Sequence, residues 1–224
     1  MRPIANRNEF MEKSVSTLNS MLDIVDNLPS LSLDSIDKEN TALIIIDMIN
    51  GFAREGLLKS HRVGDLIPEI ARLSEEFDKH SIAKIAFADC HTNESPEFES
   101  YPPHCIADTS ESSVVNELKD IGGYLLISKN STNGFLEESF QNWLGRNDHI
   151  NNFIVVGDCT DICVDQFSKS LKAYFNMKNK KVRVIVPVNA VDTYDLDVHN
   201  GDLLNIVSLY SMMVNGVEIV KEIK

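Results

Sequence analysis

Residues 153–175 read FIVVGDCTDICVDQFSKSLKAYF. The first five are apolar and end in glycine, as expected of a strand buried on both faces. The segment VDQFSKSLKAYF that follows reads as a helix. Between them a tight turn carries two of the chain's four cysteines, Cys159 and Cys163. Strand, turn and helix in that order are the repeating unit of an α/β protein.

Outward from this stretch the same unit recurs. Apolar runs rich in Ile and Val appear at ALIII (42–46), KIAFA (84–88), YLLIS (124–128) and VRVIVPV (182–188). Helical patterns separate them: LIPEIARLSEEFDKH, SVVNELKDI and FLEESFQNWLG. A last helix near 202–213 and a short VEIV strand close the pattern. The expected fold is a mostly parallel α/β sheet of about six strands with helices on both faces. Residues 1–38 stand apart as an N-terminal extension, with residues 39–224 as the domain. In NEFMEKSVSTLNSMLDIVDNL, Phe10, Val15, Leu18, Leu22 and Val25 recur at helical spacing, and PSLSLDSIDKEN reads as a linker. That helix is expected on the outside of the domain or on a neighbouring subunit, so a homo-oligomer stays open.

The 224 residues suffice for a full core without disulfides. A net charge of −13 argues against a nucleic-acid partner. No apolar segment is long enough to span a bilayer, and MRPIANRNEF lacks a signal-peptide run. The expected compartment is cytoplasmic and reducing, with the cysteines as free thiols.

In such folds ligands bind at the carboxyl ends of the strands. Asp47 follows the first run, Asp89 and His91 the second, Lys129 the third, and DCTDIC the fourth. A single strand-end Asp commonly caps a loop; four polar ends on one edge point to a site. Cys163 lies near the start of a helix, where backbone N–H groups and the helix dipole favour a thiolate. With a lysine and a carboxylate from neighbouring strand ends it would form an activated nucleophile. Cys159, Cys90 and Cys105 read as small buried residues. His61 and His199 have no evident partner and read as surface residues, and Asp192 as a loop cap.

The segments LIIIDMINGF, SKNSTNGF and GDCTDICV resemble the isochorismatase-like cysteine hydrolases, the nicotinamidases most of all. The resemblance spans roughly residues 40 to 220 and implies a doubly wound, Rossmann-like sheet. It implies Asp47 as general base, Lys129 as cationic partner and Cys163 as nucleophile. It also implies a cis peptide bond between Asp158 and Cys159, with the amides of Cys159 and Cys163 forming an oxyanion hole. Phe52, five residues after Asp47, would stand against the substrate ring or serve as core. The segment DCHTNESPEFESYPPHC would supply metal ligands Asp89, His91, Glu97 and His104, with Glu94 or Glu99 as substitutes for Glu97. The ion would be divalent: zinc foremost, with manganese and iron suiting the same donors.

The implied reaction is hydrolysis of a small carboxamide, nicotinamide to nicotinate, through a thioester. One alternative is a metal-independent hydrolase of another amide or carbamoyl compound. A second is an idle family member that serves as a binding protein. A true isochorismatase, which cleaves a vinyl ether, commonly has no nucleophilic cysteine, so Cys163 counts against it.

Overall fold

The computed structural model describes residue 4 and residues 6–224. Six strands form one sheet: β1 (Thr41–Ile46), β2 (Ala83–Asp89), β3 (Tyr124–Lys129), β4 (Asn152–Gly157), β5 (Arg183–Pro187) and β6 (Glu218–Val220). Their order is β3-β2-β1-β4-β5-β6 and every pairing is parallel. The order reverses at β1, which pairs with β2 on one side and β4 on the other. A crevice at the carboxyl ends is expected at this switch.

The helices are α1 (Arg7–Asp26), α2 (Asn50–Ala53), α3 (His61–Gly64), α4 (Ile67–Lys79), α5 (Asn116–Ile121), α6 (Glu138–Arg146), α7 (Asp165–Met177) and α8 (Gly201–Val214). The period-two alternation of a strand sorts its side chains into two cores. Leu43, Ile45 and Ile154 pack with Ile70, Leu73 and Phe77 of α4 and Leu118 of α5. Ile44, Ile46, Phe153 and Val155 pack on the opposite face with Phe140 of α6, Phe167 and Leu171 of α7 and Leu209 of α8. Among the described residues no helix is long and apolar enough to cross a membrane.

Three features differ from the sequence reading. The apolar run of β3 is not buried on both faces: Leu125 and Leu126 are 44% and 51% exposed, because β3 is the sheet edge. The half-buried stripe of α1 is Leu18, Met21 and Val25, whereas Phe10, Val15 and Leu22 stay exposed. α1 packs along α8. The segment read as a linker is tied down. Leu31 bonds through its backbone to Glu222 and Lys224, and Leu33 and Ile36 enter the core.

One glycine is required by geometry. Gly157 ends β4 at φ +114°, and a Cβ there would lie 1.9 Å from the Ile46 carbonyl oxygen. That close approach lets the Asp158 N–H bond to the same oxygen at 3.1 Å, turning the chain out of the sheet above β1.

Candidate active site and metal centre

Asp47 follows β1 directly, in the left-handed backbone region at φ 54°, which a short polar side chain tolerates better than most. Its N–H bonds to the Phe87 carbonyl of β2 at 3.1 Å. Its Oδ1 accepts the Asp89 N–H at 3.0 Å, which leaves Oδ2 aimed away from the backbone. Lys129 ends β3 in register with Asp89, the last residue of β2. The Lys129 Nζ lies 2.8 Å from Asp47 Oδ2 and donates to Asp89 Oδ1 and to the Ser131 carbonyl. It also lies 3.7 Å from Cys163 Sγ. The 2.8 Å contact is an ion pair without hydrogen-bond alignment, so Oδ2 keeps a lone pair for another donor.

Cys163 enters from β4. After Gly157 the Asp158–Cys159 peptide bond is cis, and residues Thr160–Val164 form one wide turn that runs into α7. The Val164 N–H bonds to the Cys159 carbonyl and the Thr160 N–H to the Asp192 carbonyl. Among the described residues nothing accepts a hydrogen bond from the Cys159 amide. All four cysteines are free thiols. Cys105 is buried as expected, whereas Cys90 and Cys159 are only partly buried.

Burial sets the electrostatics. It pushes the Asp47 carboxyl up to about 7, against the pull of the Lys129 ammonium. Burial opposes charge on Lys129 as well, but the Asp47 and Asp89 carboxylates outweigh it and hold the ammonium well above an ordinary lysine. Burial likewise disfavours the Asp89 charge; Lys129 and the His104 and His91 rings prevail and hold that carboxyl well below the usual range. The Cys163 thiol is pushed well above an ordinary cysteine by burial, which Lys129 offsets only in part. Burial therefore opposes the thiolate that a helix start favours. Cys163 sits beside an ammonium and a carboxyl group of raised basicity.

Beside this group lies a second cluster. One donor atom each from Asp89, His91, Glu97 and His104 lies within 4.8 Å of the others. His91 Nε2 is 3.6 Å from Asp89 Oδ2 and 3.8 Å from Glu97 Oε1, and His104 Nε2 is 3.9 Å from Asp89 Oδ2. Both rings turn Nδ1 outward, His91 to Asn130 Oδ1 at 3.0 Å and His104 to the Pro102 carbonyl at 2.8 Å. Those acceptors place the ring protons on Nδ1 and free each Nε2 lone pair. The His91 Nε2 is buried without a partner. An orphaned imidazole nitrogen facing the Asp89 and Glu97 carboxylates, and the His104 Nε2 aimed at the same Asp89 oxygen, fit a divalent ion. Glu97 joins the cluster; Glu94 and Glu99 are exposed and do not.

A cavity of about 380 Å³ meets both groups. Cys159 and Cys163 line it, as do Asp89, Glu97 and His104, while Asp47 and Lys129 lie buried behind. Phe52 lines it at 8% exposure, packs into the core and sits 5.7 Å from the His104 ring. The sequence reading missed Tyr101, Ile162 and Tyr194, which also line the cavity. Tyr101 and Tyr194 sit in irregular segments, where no periodicity marks them. His61 is exposed at the cavity. His199 is not a solitary surface residue: Nε2 lies 2.9 Å from Asp161 Oδ2. Asp192 does hold a loop, accepting from Arg62 and Asn205.

The sequence model for the isochorismatase domain matches residues 41–215. Nicotinamidase 1 of Arabidopsis thaliana is 29% identical over 213 residues, covering 82% of this chain and 86% of that protein. The solved nicotinamidase of Bacillus subtilis aligns at TM-score 0.68 and 22% identity over 81% of this chain and 99% of its own. The pyrazinamidase of Pyrococcus horikoshii in complex with zinc aligns at 0.67 and 21%, over 81% and 99%. The N-carbamoylsarcosine amidase of Thermoplasma acidophilum aligns at 0.66 and 23%, over 81% and 96%. At these identities the structural likeness speaks for the fold.

Proposed function

The chain belongs to the isochorismatase domain family, and from that premise we propose that it hydrolyses a small aromatic carboxamide, nicotinamide first, to the acid and ammonia through a Cys163 thioester. The observation that carries this reading is the meeting of the Asp47–Lys129–Cys163 group and the Asp89–His91–Glu97–His104 cluster on one cavity. The nicotinamidase relative at 29% identity supports it.

The chemistry follows from the placement. As Cys163 Sγ attacks the amide carbon, Asp47 Oδ2 takes the thiol proton; a carboxyl raised to about 7 is a better base than an exposed one. Lys129, 3.7 Å from Sγ, stabilises the negative charge that develops on sulfur. The amides of Cys159 and Cys163 donate to the oxyanion. When the C–N bond breaks, Asp47 returns the proton to nitrogen and ammonia leaves. Asp47 then draws a proton from the water that attacks the thioester and passes it to the departing Cys163 sulfur as the C–S bond breaks, which releases the acid and restores both residues. A divalent ion held by Asp89, His91, Glu97 and His104 would supply a Lewis-acidic partner for the ring nitrogen of a pyridine. That favours a pyridine carboxamide over a carbamoyl compound.

The test is ammonia release from nicotinamide, benzamide and a carbamoyl amine by the metal-loaded protein. Nicotinamide should turn over fastest and benzamide, which lacks the ring nitrogen, far more slowly. Faster release from the carbamoyl compound would overturn the assignment.

A further inference from the structure

The loop between β5 and α8 is fastened to the Cys163 turn in two places. At its root the Asp192 carbonyl accepts the Thr160 N–H at 3.0 Å, and Arg62 holds the Asp192 carboxylate at 2.8 Å. At its tip His199 Nε2 lies 2.9 Å from Asp161 Oδ2, two residues before Cys163 in the same turn. The His199 ring stacks on Tyr194, with centroids 3.7 Å apart and planes within 13°. Its Nδ1 faces the Tyr194 carbonyl at 3.0 Å. Both ring nitrogens thus face oxygens, one of them on the Asp161 carboxylate. Leu196 and His199 exchange backbone hydrogen bonds of 3.0 and 2.9 Å, closing the tip into a turn. Tyr194, Asp195 and Leu196 of this loop line the cavity.

Leu196 is 66% and Val198 93% exposed, so burial contributes little at the tip. Asp161 and His199 side chains are only 12% and 17% exposed, so their bond is shielded from solvent. The other Asp161 oxygen is buried without a partner, which leaves His199 to hold this carboxylate. No step of the hydrolysis uses either residue.

We propose that His199 is a positioning residue that latches the 194–199 wall of the cavity to the Cys163 turn through Asp161, and so sets how tightly substrate is held. The substrate part rests on the hydrolase reading; the latch itself does not. Loss of the bond should loosen the wall without touching the Asp47–Lys129–Cys163 group. The effect should therefore fall on binding rather than on the chemical step.

The experiment compares His199→Ala and His199→Gln with the unaltered protein. Gln keeps a donor at the position of Nε2. Two readouts are taken: amide hydrogen exchange at Leu196 and His199 without substrate, and KM and kcat for nicotinamide. In His199→Ala the exchange at these amides should quicken while β1 and β4 stay protected. KM should rise by about tenfold to a hundredfold, the worth of a hydrogen bond to a charged group, with kcat nearly unchanged. His199→Gln should recover most of both effects. Unchanged exchange in His199→Ala would overturn the latch. Faster exchange with unchanged KM would overturn its role in holding substrate. An equal fall in kcat and thermal midpoint that Gln does not rescue would mark His199 as merely structural and overturn the proposal. If the unaltered protein releases no ammonia from nicotinamide, the hydrolase reading fails, while the exchange data still decide the latch.

Discussion

Asp47 and Lys129 end strands that do not touch, yet their side chains pair at 2.8 Å across the end of β2. The pair is fully buried, so each charge depends on the other. Asp47→Asn and Lys129→Ala should each lower kcat by about a thousandfold, in the range for a lost general base. Because the two act as one unit, the double variant should be little worse than either single one. Multiplicative losses in the double variant would show that they act independently.

Cys163→Ala should abolish amide hydrolysis and leave the fold intact, since it removes one sulfur from the cavity wall. Cys159→Ala should be mild, because only the Cys159 backbone is assigned a task. Turnover and circular dichroism of both variants check this. Equal loss in the two would refute the division of labour.

Burial raises the Cys163 thiol, so its thiolate population moves to higher pH. Alkylation of substrate-free protein by iodoacetamide should be slow near neutrality and climb steadily with pH. The rate at Cys163 can be followed by mass spectrometry. A fast rate that is flat between about pH 6 and 8 would mean a preformed thiolate.

Removal of bound metal, or His91→Ala, should collapse turnover of a pyridine carboxamide while Cys163 alkylation continues. The proposed ligands come from β2 and its following loop, the proposed nucleophile from the turn after β4, so holding and cutting are separable. Both quantities are measured on one chelated sample. Unchanged turnover would eliminate the ring-anchoring role.

Gly157→Ala should cost about 3 kcal/mol or more, or prevent folding, since the added Cβ would meet the Ile46 carbonyl at a φ that suits glycine alone. Gly145→Ala, inside α6 with nothing within 4 Å, should instead stabilise by about 0.5–1 kcal/mol. Urea midpoints of the two variants give the comparison. A neutral Gly157→Ala would mean that β4 can retreat from β1.

Much of this site is legible in the amino-acid sequence. Asp47, Asp89, Lys129 and the cysteine turn each follow an apolar run, and in a parallel sheet such positions share one edge. The burial that opposes a Cys163 thiolate is not legible in the same way, because a helix start is a local signal, whereas burial depends on the whole sheet and its helices. The Asp161–His199 bond joins residues 38 apart, one in a single wide turn and one in an irregular loop, and neither leaves a periodic trace. The edge position of β3 is hidden for another reason: its residues are as apolar as those of the central strands, and only the strand order exposes them.

The four groups at the carboxyl edge come from four separate strands. The contacts joining them span 42 residues from Asp47 to Asp89, 40 from Asp89 to Lys129 and 34 from Lys129 to Cys163. No fragment of the chain shorter than this whole span contains the site. The reactive sulfur therefore has its partners only once β1 to β4 have assembled together. A chain caught midway through folding carries an ordinary cysteine. Activity lost during denaturation should accordingly track the disappearance of the sheet itself, making the enzyme's own turnover a gauge of cooperative unfolding.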